Sequence, residues 1–192
     1  MVQSIDLANV PVLVENLERQ ELESVMFKAA AGVPSAEVYT KLLALYLLQN
    51  DLCNAKFLWK RTPQSVKMSH PEIGQVWEVG KHLWNGNYPS IYSNLKRTWS
   101  DDIAHIMKAL QEEVQKRALN LISKAYSSIP NTSLSEFLGV NEQETAALVQ
   151  DQGWTVDKVY TQPVKKPEEY AAPNITDDQL YILTQYVSFL EN

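Results

Sequence analysis

The chain has 192 residues, of which 45% are apolar and 21% are charged, as expected for one compact domain or two small units packed together. Its net charge of -6 argues against polyanion binding as the main task, because phosphate contacts need clustered Lys and Arg. The single cysteine, Cys53, excludes an intramolecular disulfide and indicates a reducing compartment. We expect it to be a small packed residue.

No targeting or membrane-spanning segment is predicted. The first residues lack a basic start followed by an apolar core. The longest apolar run, residues 42–48, is too short to cross a bilayer. We therefore expect a soluble intracellular protein.

Residues 1–35 carry no clear pattern and are treated as an N-terminal segment. Beyond them, apolar residues recur at helical spacing and predict four helices, in residues 36–51, 52–61, 71–84 and 88–97. The first is apolar nearly all round, so it should be packed between neighbours on both sides. The aromatic residues of these helices are predicted to be core rather than a binding platform: Trp59, Trp77, Trp84, Tyr88 and Tyr92.

The four helices contain a weak internal repeat. Aligning residues 47–61 with residues 83–97 sets Asp51 on Asn87 at an offset of 36 residues, close to the period of about 34 in tetratricopeptide-type hairpins. Residues 36–130 are therefore predicted to be a stack of helical repeats. Other elements must cap the apolar ends of this stack.

A further helical segment follows. Ser100 is predicted to cap it, and an apolar stripe then runs to Ile129, where Pro130 ends it. The pattern fits either one long helix or two helices joined by a bend. The stripe consists of Ile103, Ile106, Met107, Leu110, Val114, Leu121, Ile122 and Ala125.

Residues 131–163 predict a winged-helix subdomain whose first helix is the end of the 101–129 segment. Ser133 and Glu136 would make a capping box for a short helix that ends at Gly139. Asn141 would cap the next helix.

A small hairpin is predicted to close this subdomain, with Asp157 and Lys158 in its turn. Its edge has unpaired backbone groups that a neighbour's strand can extend. We predict a partner-binding edge at four residues: Trp154, Val156, Val159 and Tyr160.

Residues 164–175 are polar, contain proline and have no periodicity, which indicates a linker. Residues 176–192 then predict a helix with a three-four-three apolar seam, and an isolated helix of this length needs a surface to lie on. That surface is either the chain's own repeat stack or a helix bundle formed with partners. We predict the bundle, with contacts at Leu180, Ile182, Leu183, Tyr186, Val187, Phe189 and Leu190.

No catalytic residues, metal or cofactor are predicted. His70, His82 and His105 are scattered without the spacing of a zinc site. The sequence also has no P-loop and no nucleophile elbow. We therefore expect that the chain is not an enzyme.

Residues 133–154 have the outline of a DNA-reading helix-turn-helix unit, but they hold four acidic residues and no Lys or Arg. Such a surface repels phosphate, so we do not expect it to bind nucleic acid. Three Lys-Arg doublets remain, at residues 60–61, 96–97 and 116–117. The first two fall at predicted helix C-termini, where cations complement the helix dipole. A helical nucleic-acid adaptor that uses the doublets stays open as an alternative.

A helical-repeat stack that runs into a winged helix is the order of elements in a PCI domain. The chain resembles this family, and within it the smallest subunits of the COP-nine signalosome, known as subunit eight. The most specific matches are "ND…NA…LWKR.P" in residues 50–63 and "YV.FLEN" at the end. Lys56 and Thr62 stand where the family pattern has Arg and Ile. The resemblance covers most of the chain from Tyr39 on.

The resemblance implies a mainly α fold: tetratricopeptide-like hairpins, a winged-helix subdomain and a C-terminal bundle helix. It also implies a non-catalytic scaffold in the complex that removes the ubiquitin-like modifier NEDD from the cullins of ubiquitin ligases. PCI subunits would line up through their winged-helix sheets, with subunit three as the neighbour, and would gather their C-terminal helices in one bundle.

The same resemblance implies residence in cytoplasm and nucleus. PCI scaffolds of the proteasome lid and of translation initiation factor three share this architecture. They stay open as alternatives.

Overall fold

The computed structural model describes residues 9–26, 35–164 and 177–190. These residues confirm the predicted fold class, since they form a mainly α protein with a small antiparallel sheet after the helical repeats and a separate C-terminal helix. The predicted domain boundaries stay predictions. The helices are α1 (Val10–Met26), α2 (Ala36–Leu48), α3 (Leu52–Arg61), α4 (Gln64–Ser69), α5 (Pro71–Asn85), α6 (Tyr88–Leu95), α7 (Asp101–Ala125), α8 (Asn131–Leu138), α9 (Glu142–Asp151) and α10 (Asp177–Leu190); the strands are β1 (Ile129–Pro130), β2 (Thr155–Val156) and β3 (Tyr160–Gln162).

Helix α2 is the centre of the repeat stack. It packs against α1, α3, α5 and α7, and every side chain from Leu42 to Leu48 is buried. A helix that is apolar all round is stable only when neighbours cover each of its sides. Four surrounding helices supply that cover here, as the sequence predicts.

The two turns of the repeat have the same geometry. Asn50 and Gly86 both adopt a left-handed backbone conformation, with φ of 63° and 66°. The residue after each of them caps the next helix: the Asp51 carboxylate accepts from the backbone N–H of Asn54 at 3.0 Å, and the Asn87 side chain accepts from that of Ser90 at 3.3 Å. This shared turn supports the internal repeat.

Helix α1 lies in a segment where the sequence predicts no element. Val10 and Val14 are buried against α2 and Leu17 packs against the same core, but the next inward position towards the C-terminus of α1 is occupied by Glu21, which is only 7% exposed. A carboxylate at an inward position interrupts the apolar periodicity, so the pattern is not visible in the sequence. Arg61 compensates its charge, donating from Nε and Nη2 to the two carboxylate oxygens at 2.7 and 2.6 Å.

We expect Arg61→Ala to lower the free energy of unfolding by about 2 kcal/mol, because it leaves the buried Glu21 carboxylate without a bidentate partner. Arg61 is itself partly exposed, so water screens some of the loss. Arg97→Ala is the control: its ion pair with Glu78 is exposed at both ends, and we expect a loss of less than about 1 kcal/mol. Urea unfolding followed by circular dichroism measures both, and equal losses would contradict the anchoring role of the Arg61 pair.

Helix α7 is a single helix that joins two hydrophobic cores. Its first half, from Ile103 to Val114, packs into the repeat core, whereas Ala118 and Ile122 belong to the core of the winged-helix part. The choice between one helix and two is thereby settled. The helix ends at Ala125 rather than near Ile129, and the stripe is wrong at its end, because Leu121 and Ala125 are exposed.

Strand β1 occupies residues that the sequence assigns to the end of that helix. It pairs antiparallel with β3, which also pairs antiparallel with β2, so that the strand order is β1-β3-β2. A two-residue strand leaves no alternating pattern, which is why it is not predicted. The predicted hairpin turn is present, with Asp157 N–H donating to the carbonyl of Tyr160 at 2.8 Å. Val159 lies in the turn rather than in a strand.

The start of α8 differs from the prediction. The helix begins at Asn131, so Ser133 lies inside its first turn and no side chain caps it. The predicted capping box is therefore wrong. Asn131 is held by the sheet instead: its side chain accepts from the Thr161 hydroxyl at 2.8 Å and donates to the carbonyl of Asp157 at 2.9 Å. Contacts distant in sequence override the local signal.

The winged-helix part rests on the repeat stack through α6. The hydroxyl of Tyr92 donates to the carbonyl of Phe137 at 3.1 Å, and the rings of Tyr88 and Phe137 lie 5.1 Å apart. Gly139 ends α8 in the predicted turn with φ of 65°. A Cβ atom there would lie 2.2 Å from the ring of Tyr92, so only glycine allows this approach.

Candidate interaction surfaces

Helix α10 exposes its whole apolar face. The seven residues predicted for bundle contacts are between 51% and 79% exposed, so the part of the chain that the structure describes does not cover them. The sequence left two possible surfaces for this helix, the chain's own repeat stack and a bundle with partners. The repeat stack does not bury the seam. The seven residues are Leu180, Ile182, Leu183, Tyr186, Val187, Phe189 and Leu190.

Two polar side chains of α10 form hydrogen bonds within the helix. The hydroxyl of Thr184 donates to the carbonyl of Leu180 at 2.7 Å, and the amide of Gln185 donates to the hydroxyl of Tyr181 at 2.9 Å. The described part of the helix contains no Lys or Arg. What α10 offers a partner is therefore mainly apolar area. The predicted linker beyond Val164 and the predicted helix start at Thr176 lie outside the described residues.

The predicted winged-helix edge is divided between the core and the surface. Trp154 is only 7% exposed and packs in the winged-helix core, so the structure gives it a packing role. Val156, Val159 and Tyr160 are exposed.

The sheet order decides which edge is open. Because β3 lies between β1 and β2, both of its sides are already paired. Strand β1 contains Pro130, which has no N–H to donate. Strand β2 is thus the edge best able to receive a further strand.

The three Lys-Arg doublets are engaged within the chain. Lys60 and Arg61 lie in the last turn of α3, and Lys96 directly follows α6, as the dipole argument predicts. The doublets do not form one free phosphate-binding surface, since four of their side chains contact groups of this chain: Arg61 with Glu21, Arg97 with Glu78, Lys116 with Glu113, and Arg117 with the carbonyl of Leu48.

Two predicted packing residues are exposed instead. Trp84 is 53% exposed, with Nζ of Lys56 lying 4.9 Å from its ring centroid. It lies on the inward stripe of α5 by helical spacing, but it falls in the last turn of the helix, beyond the buried positions Val79 and Gly80. Cys53 is exposed in the first turn of α3. The other four aromatic residues predicted to be core, Trp59, Trp77, Tyr88 and Tyr92, are buried or partly buried, whereas Phe57 of α3 is exposed.

Two tyrosines with raised pKa values belong to the packed core. Burial raises the pKa of the hydroxyls of Tyr46 and Tyr92 above the usual tyrosine value. The Tyr46 hydroxyl donates to Glu18 at 2.5 Å, linking α2 to α1. Among the described residues, no three His, Cys, Asp or Glu side chains are grouped to hold a metal ion, and no described helix is long and apolar enough to span a membrane.

Comparison with known proteins agrees with the resemblance seen in the sequence. The profile of the CSN8/PSMD8/EIF3K family matches residues 34–174. The chain is 42% identical to the COP9 signalosome complex subunit 8 of Xenopus laevis over 94% of this chain and 91% of that protein. Proteins of the same name from Dictyostelium discoideum and Arabidopsis thaliana are 32% and 33% identical; the matches cover 97% and 77% of this chain, and 94% and 76% of those proteins. The chain belongs to the CSN8/PSMD8/EIF3K family.

Proposed function

We propose that this chain is a non-catalytic scaffold subunit of the COP9 signalosome, the complex expected to remove NEDD from cullins. The exposed apolar seam of α10 carries the proposal, together with the name that the curated relatives bear. A helix with seven large exposed apolar side chains is suited to a multi-helix bundle. Burying each of them contributes on the order of 1–2 kcal/mol to association, before the cost of ordering.

The second proposed contact is the open edge of β2, which a neighbouring PCI subunit would extend. The resemblance names subunit three as that neighbour. Strand addition supplies main-chain hydrogen bonds, and the exposed side chains of Val156, Val159 and Tyr160 would supply apolar contact beside them. No catalytic group is assigned to this chain in the proposed complex.

The proposal is tested by isolating the tagged full-length chain from native extract and weighing its assemblies by mass spectrometry. A large complex that contains other PCI subunits and deneddylates cullins supports it. Co-isolation with proteasome lid subunits or with initiation factor three would show that the chain is a scaffold of one of those assemblies instead. A chain that elutes alone, or with RNA or DNA, overturns the scaffold proposal. Imaging of the tagged chain should place it in cytoplasm and nucleus.

Val156→Lys should weaken binding to the recombinant neighbour, subunit three, by about tenfold or more, because a charged side chain on an edge strand opposes strand addition. Isothermal titration calorimetry measures the change. Gln162→Lys introduces the same side chain at an exposed position of the central strand β3, and we expect about a twofold change or less. If both variants bind equally weakly, the effect comes from charge in general rather than from the β2 edge.

A further inference from the structure

A cleft lies where the repeat turns meet α7. It has a volume of about 410 Å³ and is formed by both left-handed turn residues, Asn50 and Gly86, together with one side of α7. From α7 it receives Arg117, Leu121 and Lys124. Neither the β2 edge nor the α10 seam contributes to it.

The cleft has two cations and no carboxylate in its lining. The Nη2 atom of Arg117 donates to the carbonyl of Leu48, whereas Nη1 is buried and has no hydrogen-bond partner among the described residues. Glu113, one turn earlier, pairs with Lys116 at 2.9 Å. Burial lowers the pKa of Arg117, with Glu113 opposing the shift. A partly desolvated guanidinium without a bound carboxylate is destabilised until an anion compensates it.

The rest of the lining combines two asparagines, Asn50 and Asn120, with a partly open apolar wall. Leu121, which the sequence predicts as part of the apolar stripe of α7, is 50% exposed, and Tyr88 and Ile91 continue the apolar wall on α6. Phosphate sites gather several cations and backbone N–H groups. Two cations beside an apolar wall fit a peptide in which an acidic residue is directly followed by an apolar residue.

We propose that this cleft binds an acidic-apolar peptide segment of a partner protein. Its Glu or Asp carboxylate pairs with Arg117 and Lys124, and the adjacent apolar side chain packs on Leu121. The assignment does not depend on membership of the signalosome, because every group that it uses belongs to this chain. The isolated full-length protein is therefore sufficient for a test.

The probe is a fluorescein-labelled peptide, Gly-Ser-Glu-Leu-Glu-Leu-Ser-Gly, and its control has Gln in place of both Glu. Fluorescence anisotropy at physiological salt should show that the Glu peptide binds at least about tenfold more tightly than the Gln peptide. Lys124→Glu should weaken the Glu peptide by about tenfold or more. Lys108→Glu makes the same charge change on the exposed side of α7 outside the cleft, and it should change affinity by less than about twofold.

Both lysines are exposed, so each variant should keep the parent fold, with a slightly lower unfolding midpoint for Lys124→Glu because a carboxylate in the last turn of α7 opposes the helix dipole. The proposal is overturned if the Glu peptide does not bind saturably, if both peptides bind equally, or if Lys108→Glu acts as strongly as Lys124→Glu. A self-occupied cleft is the remaining outcome. If Glu168→Gln with Glu169→Gln, outside the described residues, raises probe affinity about tenfold, this chain's own segment fills the cleft and the partner assignment is wrong.

Discussion

Leu183→Asp in helix α10 should remove this chain from its complex while leaving its own fold intact. The Leu183 side chain is 59% exposed in the chain itself, so the substitution costs the isolated protein little. In a bundle the same carboxylate would be buried without a partner, at a cost of roughly 3–5 kcal/mol, or about 10²–10⁴-fold in affinity. Native mass spectrometry of the tagged variant from extract measures the loss as a missing large assembly.

Thr184→Asp is the matched control, because it places the same charge at the next residue, which is not one of the seven seam residues. The hydroxyl of Thr184 bonds only to the carbonyl of Leu180 within the helix, so its loss changes no contact outside α10. This variant should enter the complex at about the parental level. If both variants assemble normally, the seam is not the bundle contact. If both fail, added charge rather than the seam decides the result.

The sequence predicts a helix well where apolar residues recur at regular spacing along a short stretch of the chain. Helix α2 and the seam of α10 were both predictable, because apolar residues at helical spacing report directly on one buried or exposed face. Helix α1 was not predictable, because Glu21 occupies one of its inward positions and its partner Arg61 is 40 residues away. The start of α8 was missed for the same kind of reason, since Asn131 bonds to Thr161 across the sheet.

Some features of the candidate surfaces were also predictable from the sequence, and others depend on contacts between distant parts of the chain. Val156 and Val159 were predicted as edge residues from the hairpin pattern together with the resemblance to PCI domains. That β2 rather than β3 is the open edge depends on β1, a two-residue strand with no sequence signature. The cleft at Arg117 has no local signal either. It exists because the end of α2 and the middle of α7 meet there, which only the packed fold reveals.

Gly139→Ala should destabilise the chain by about 2–5 kcal/mol. Two costs add. A left-handed conformation with φ of 65° costs a residue with a Cβ about 1–2 kcal/mol. The new Cβ would also lie 2.2 Å from the ring of Tyr92, and overpacking of a core typically costs about 1–3 kcal/mol more.

The Tyr92 ring cannot yield easily, because it is buried and its hydroxyl is fixed on the carbonyl of Phe137. Gly86→Ala separates the two costs: Gly86 has nearly the same φ of 66°, but a Cβ there meets nothing within 4 Å. Urea unfolding should therefore show a loss of only about 1–2 kcal/mol for Gly86→Ala. Equal losses would mean that the contact between α8 and α6 relaxes freely. A larger loss at Gly139 means that the packing of α8 against α6 does not relax, so that a neighbour bound at the proposed β2 edge would also be fixed relative to the repeat stack.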